Sequence, residues 1–252
     1  MELPAHDRPR SVYLLPNLIT TSGLFAGFYA IVASMRGDFS YAAFAIYIAM
    51  LLDGLDGRVA RLTNTQSEFG AEYDSLADVV SFGIAPSLVV YNWGLVSLGK
   101  PGWLVAFFYA AATALRLARF NTKMKPYHKE EDKKEEDIVH NYFQGLPSPA
   151  AGALVAGMVL VAHEYGIPGV HLWDLTAIVT LITAVLMVSN VPYYSFKHFH
   201  LRGKVPFVAL LAVLLGFICI SLDPPQVIFA LFAIYVLSGP LMYGVKLFRK
   251  NK

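Results

Sequence analysis

The sequence predicts an all-α, polytopic membrane bundle of about eight transmembrane helices, and three observations carry that reading. Hydrophobic residues make up 56% of the 252-residue chain and charged residues only 15%, against about 25% charge in a typical soluble domain. Apolar runs of the roughly 20 residues that a helical crossing needs recur along the whole chain. The alternating pattern of barrel strands is missing, so helices must satisfy the backbone in lipid. These properties exclude a disordered protein, a secreted disulfide scaffold and a soluble enzyme. A net charge of +2 lends no support to a nucleic-acid partner. The single cysteine, Cys219, excludes an intrachain disulfide.

The elements follow in order. The first span is expected over 13–34. It lacks a suitably placed small-residue cleavage site, so it reads as a retained membrane helix. The second and third, over 39–61 and 71–95, are joined by a short turn near Thr65 and should form an antiparallel hairpin. The fourth covers 102–121. A mixed-charge stretch, HKEEDKKEED at 128–137, has no apolar periodicity and marks a solvated cytoplasmic loop over 122–147. The remaining spans are expected over 148–165, 172–193, 205–221 and 225–246. Small residues at Ala150–Ala153, Ala156 and Gly157 predict close helix packing, which can serve a homodimer interface or internal packing equally well. Tyr193, Tyr194, Phe196 and Phe199 read as a membrane-interface belt. With a cytoplasmic amino terminus, all of the 20 lysines and arginines except Arg36 and Lys100 fall on the cytoplasmic side. That asymmetry puts both termini in the cytoplasm of an inner-membrane protein. The whole chain, 1–252, reads as one membrane-embedded domain.

The acidic residues point to function. Of 18 acids, six fall in or between the second and third spans: Asp53, Asp56, Glu68, Glu72, Asp74 and Asp78. Acids inside a membrane cost about 2.5–3.5 kcal/mol each on insertion scales and are functional by default. Asp53 and Asp56 share one helix face, Asp74 and Asp78 the next. In a hairpin turning at Thr65 the pairs 53/78 and 56/74 sit at matching depths, so four carboxylates can converge. Divalent cations would relieve their repulsion. An all-oxygen donor set favours Mg²⁺ or Mn²⁺, and two bridged ions about 3.5–4 Å apart suit phosphoryl chemistry. An ion-coupled transporter with acids lining a cation path is the alternative. The residues between the acids favour phosphate: Gly57 and Ala60 leave room for close approach, and Arg61 supplies a cation. Glu68 reads as a solvated turn residue and Glu72 as a helix-end acid.

The whole string is Asp53-x2-Asp56-Gly57-x2-Ala60-Arg61-x8-Gly70-x3-Asp74-x3-Asp78. It resembles the complete signature of the CDP-alcohol phosphatidyltransferases, with no position missing. Pro16-Asn17-x2-Thr20 is similar to the nucleotide-contacting stretch of that family. Ser75–Pro86, Leu115–Asn121 and Phe143–Pro149 resemble its phosphatidylserine synthase branch. The likeness covers roughly residues 12–150.

The resemblance implies transfer of a phosphatidyl group from CDP-diacylglycerol to L-serine, with release of CMP. It implies that Asp53, Asp56, Asp74 and Asp78 hold two ions, Mg²⁺ or Mn²⁺. Asn17, Thr20, Gly57, Ala60, Arg61 and Ser67 would line the CDP site, and Asp78 would double as general base. The serine carboxylate calls for a cation. Arg116 and Arg119, with Asn121, are the candidates for it or for the lipid phosphate. Both arginines could equally be anchors snorkelling to headgroups. Another acceptor within the family (glycerol phosphate, inositol phosphate or choline) is the nearest rival.

Overall fold

The computed structural model describes residues 10–124, 142–194, 214–216 and 221–250. Its long helices are α1 (Arg10–Met35), α2 (Phe39–Thr63), α3 (Glu68–Asp78), α4 (Ala85–Trp93), α5 (Lys100–Met124), α6 (Ser148–Glu164), α7 (Trp173–Val188) and α8 (Pro224–Lys250). A π-helical turn, Val79–Ile84, fuses α3 to α4. Among the described residues, five helical stretches are long and apolar enough to cross a membrane: Leu14–Met35, Phe39–Leu62, Glu68–Trp93, Lys100–Thr122 and Pro224–Val245. α6 and α7 are apolar but shorter, with 17 and 16 residues, or about 25 Å at 1.5 Å per residue. The described residues therefore form an all-α polytopic fold. The expected span over 205–221, with Cys219, falls outside them except at 214–216 and Ser221, and so do Phe196, Phe199 and most of the charged loop.

Local chemistry explains the boundaries. The α1–α2 turn uses Gly37 at φ 83°, a left-handed conformation that glycine adopts without strain. α2 stops at Asn64, also left-handed at φ 51°, whose N–H bonds the carbonyls of Ala60 and Arg61. Ser67 starts α3 as its N-cap, its Oγ accepting from the Gly70 N–H at 3.0 Å. The π turn has a local cause in Pro86, which cannot donate to the Phe82 carbonyl. The Ala85 N–H reaches back to the Val80 carbonyl instead. The widened turn packs against α1, where a Cβ on Gly27 would lie 2.6 Å from Ser81 Oγ.

α1 is the main neighbour of α2 and also packs against α3 and the π turn. The expected hairpin is thus a three-helix wedge, with α1 in contact with both acid-bearing helices. At the centre of the bundle stands α6, against α2, α4, α7 and α8. Its Ala150–Gly157 run is buried. A Cβ on Gly152 would press on Phe82 and Pro86, and one on Gly157 on Tyr47 and Phe229. The small-residue face therefore serves internal packing. Large apolar side chains such as Leu18, Phe25, Phe28, Leu51 and Phe107 point outward, as lipid-facing surfaces do and soluble surfaces do not.

One feature departs from the sequence expectation. α7 ends at Val188, and the chain continues into a two-stranded antiparallel ribbon, β1 (Tyr142–Gln144) with β2 (Pro192–Tyr194), Phe143 facing Tyr193. Tyr193 is not part of an interface belt. Fully buried, it donates its hydroxyl to the Val236 carbonyl of α8 at 2.9 Å. Its ring fills the space where a Cβ of Gly239 would stand.

Candidate functional site

The wedge brings the acids together. Ligand oxygens of Asp53, Asp56 and Asp74 all lie within 4.8 Å of one another. Asp78 is hydrogen-bonded to Asp53 and sits in the field of Asp74 and Arg116. The two pairs from the motif thus meet across the space between α2 and α3. Asp56 is the most enclosed, 4% exposed, and Thr20 Oγ1 donates to its Oδ2 at 2.6 Å, with the Pro16 carbonyl 3.1 Å from the same hydroxyl. Thr20 therefore orients a carboxylate as well as lining the cavity. Carboxylates crowded this closely repel unless protons or cations intervene. Three converging hard oxygen donors make a cluster that can hold a divalent metal ion.

Beside the cluster opens a cavity of about 160 Å³. The sequence-predicted Asn17, Thr20, Gly57, Ala60, Arg61 and Ser67 all line it, together with Asp56 and Asp74. A Cβ on Gly57 would meet only Arg61 Nη1, at 3.6 Å. Protein packing thus leaves that position room for a side chain, and the bare backbone faces the cavity. Gly70 is different, because a Cβ there would press on Ser67 Oγ at 3.1 Å and Asn17 Oδ1 at 3.3 Å. Arg61 and Ser67 are exposed at the mouth.

The three candidates from α5 separate. Arg116 is buried, 9% exposed, and its Nη1 donates to Ser148 Oγ at 3.0 Å. Its charge reaches Asp78, so it borders the acid cluster. Arg119 instead donates to Val188 O at 3.2 Å, Ser189 O at 3.2 Å, Asn190 Oδ1 at 3.3 Å and Gln144 O at 3.4 Å. Those bonds clasp the end of α7 to the ribbon. Asn121 Nδ2 donates to Ser75 Oγ at 3.0 Å and Glu72 Oε2 at 3.4 Å, tying α5 to α3. Glu72, exposed and read from the sequence as a helix-end acid or a supporting partner of the site, thus has a partner on α5.

Sequence reasoning missed the site roles of Ser81 and Ser148. Ser81 lines a small inner cavity with all four aspartates, and its spacing of three from Asp78 was a usable signal. Ser148 reaches Arg116 from the remote helix α6, and no spacing foretells that.

Fold and site together define a helical membrane protein with a metal-competent carboxylate cluster beside a cavity lined by Arg61. A family model of the CDP-alcohol phosphatidyltransferases matches residues 13–189, and the chain belongs to that family. A Helicobacter pylori relative named CDP-diacylglycerol–serine O-phosphatidyltransferase is 38% identical over 245 residues, covering 96% of this chain and 97% of its own. A relative of the same name from Mycobacterium bovis is 36% identical over 214 residues, covering 84% and 71%. One from Methanocaldococcus jannaschii is 30% identical over 234 residues, covering 93% and 96%.

Proposed function

We propose that this protein transfers the phosphatidyl group of CDP-diacylglycerol to the hydroxyl of L-serine, yielding phosphatidylserine and CMP. The observation that carries the reading is the convergence of Asp53, Asp56 and Asp74 beside a cavity walled by Gly57 and Arg61. The names of the relatives supply the acceptor. Asp53, Asp56, Asp74 and Asp78 would hold two divalent ions, Mg²⁺ or Mn²⁺. When bound, these would neutralise phosphate charge in the transition state.

The residues of the chain do the rest. Gly57 and Ala60 admit the pyrophosphate to the α2 backbone, while Arg61 and Ser67 receive it from the mouth. Asn17 fixes the nucleotide from α1, and Thr20 holds Asp56 in register. Asp78 takes the proton from the serine hydroxyl. The serine oxygen then bonds to the phosphorus that carries diacylglycerol, and the bond from that phosphorus to the CMP oxygen breaks in line. CMP leaves with the electron pair. A general base needs hydrogen-bond reach of the proton it abstracts, and Arg116 beside Asp78 would steer the acceptor carboxylate to that point. We read the chain as one domain of about eight spans, with the site at the cytoplasmic face of the inner membrane. The lipid tails enter from the bilayer and serine from the cytosol.

Purified protein incubated with CDP-diacylglycerol, Mn²⁺ and a panel of alcohols tests this by CMP release. Serine-dependent release is expected. Release driven only by another alcohol moves the assignment within the family. Release with none, together with cation counterflow in liposomes, replaces it with transport. Inversion at a chiral phosphorus is the expected stereochemistry.

A further inference from the structure

Behind the main cavity, the acid cluster encloses a second, smaller space of about 10 Å³. All four aspartates line it, and so do two hydroxyls from different elements, Thr20 of α1 and Ser81 of the π turn. A polar space of that size suits one water molecule, which needs two to four polar partners. The two hydroxyls are used differently. Thr20 donates directly to Asp56 at 2.6 Å. Ser81, 3% exposed, donates to the Gly23 carbonyl at 3.3 Å. That bond occupies its proton and leaves lone pairs on the oxygen able to accept.

Resting on the two-metal reading above, we propose that Ser81 is a positioning residue for the aspartate cluster: its hydroxyl anchors one water in the inner cavity, and that water donates to the Asp78 carboxylate and holds it for the incoming ions.

Three observations support this. Asp78 and Ser81 are three residues apart on one continuous helical stretch, and both line the same water-sized space. Ser81 is also held firmly in place. A Cβ on Gly27 would lie 2.6 Å from its Oγ and 2.7 Å from its Cα, so α1 and the π turn meet with no slack. On its other side the turn rests on α5, where a Cβ on Gly83 would lie 3.1 Å from Thr113 Cβ. Finally, carboxylates bind a metal ion well only when further hydrogen bonds fix their orientation. Thr20 does this for Asp56 from α1, and Ser81 does it for Asp78 from the π turn, through water. π turns within α-helices are frequent at functional sites, and here the turn seats an anchoring hydroxyl against the cluster.

The test measures Mn²⁺ binding by the full-length, metal-free protein without lipid, from the EPR signal of free Mn²⁺, in wild type, Ser81→Ala and Ser81→Cys. Binding by the wild type is required by the functional reading, and its absence defeats the two-metal reading itself. Ser81→Ala keeps the Cβ and its contact with α1 but removes the oxygen. Its Mn²⁺ Kd should rise about tenfold, as loss of an outer contact to a metal ligand does. Ser81→Cys keeps the shape and offers only a weak acceptor, so its loss should be of similar size. Both metal-free variants should melt within about 3 °C of the wild type, since one neutral hydrogen bond is at stake. An unchanged Kd in Ser81→Ala overturns the proposal. Wild-type affinity in Ser81→Cys assigns Ser81 to packing and overturns it as well, as does a much larger fall in the melting temperature of metal-free Ser81→Ala.

Discussion

The acid-lined wedge of α1–α3 and the arginine-bearing region of α5, α6 and the β1–β2 ribbon are built differently. In the wedge, the chemistry sits in 26 consecutive positions from Asp53 to Asp78, interrupted only by the turn at Asn64. Helical spacing selects the faces, and one turn brings them together. In the arginine region, Arg116 and Ser148 come from two helices far apart in sequence, and Arg119 ties the end of α7 to the β1–β2 ribbon. The first arrangement is a local motif, set by helical spacing. The second depends on packing between elements remote in sequence.

That contrast can be broken or sharpened by substitution. The largest effect is expected in the wedge. Asp78→Asn should lower kcat by about 10³-fold or more, since general bases contribute 10²–10⁴-fold. CDP-diacylglycerol should still bind, as measured by equilibrium binding of the labelled lipid. Next comes Arg116→Ala, expected to raise the serine KM by about 10- to 100-fold while the CDP-diacylglycerol KM stays nearly constant. The corresponding loss is that of hydrogen bonds from a charged group, about 1.5–3 kcal/mol. A change in both KM values would erase the distinction between the two regions. Thr20→Val removes the 2.6 Å bond to Asp56. It should raise the Mn²⁺ concentration for half-maximal activity about tenfold, as loss of outer contacts to metal ligands does. The smallest effect on catalysis is expected for Arg119→Ala. Losing the clasp should cost about 2 kcal/mol of stability, read as a lower melting temperature. Its serine KM should rise less than that of Arg116→Ala. If it rises more, Arg119 is a ligand and the clasp is secondary.

The wedge was legible because its information is local. Helix-period spacing of Asp53/Asp56 and Asp74/Asp78, a short turn at Thr65 and the unusual cost of membrane acids together define a cluster. The same logic explains the limits. Two antiparallel helices sufficed to align the acids by depth, but only packing reveals α1 as a partner of both and Thr20 as the group bonded to Asp56. Arg116 and Arg119 look alike in sequence, both basic at the end of one span and three residues apart. Tertiary contacts distinguish them, one bordering Asp78 and the other spent on backbone carbonyls. Tyr193 looked like an interface aromatic because its neighbours are aromatic and basic, yet the ribbon turns it inward onto a glycine.

Composition and helical periodicity alone determined that this chain lives in lipid as helices and carries paired aspartates on adjoining faces, because backbone hydrogen bonding and side-chain spacing are local properties. The tertiary structure decided which of two similar arginines is committed to the scaffold and which tyrosine is buried. Those outcomes depend on which surfaces pack together, and packing joins residues that no sequence interval relates.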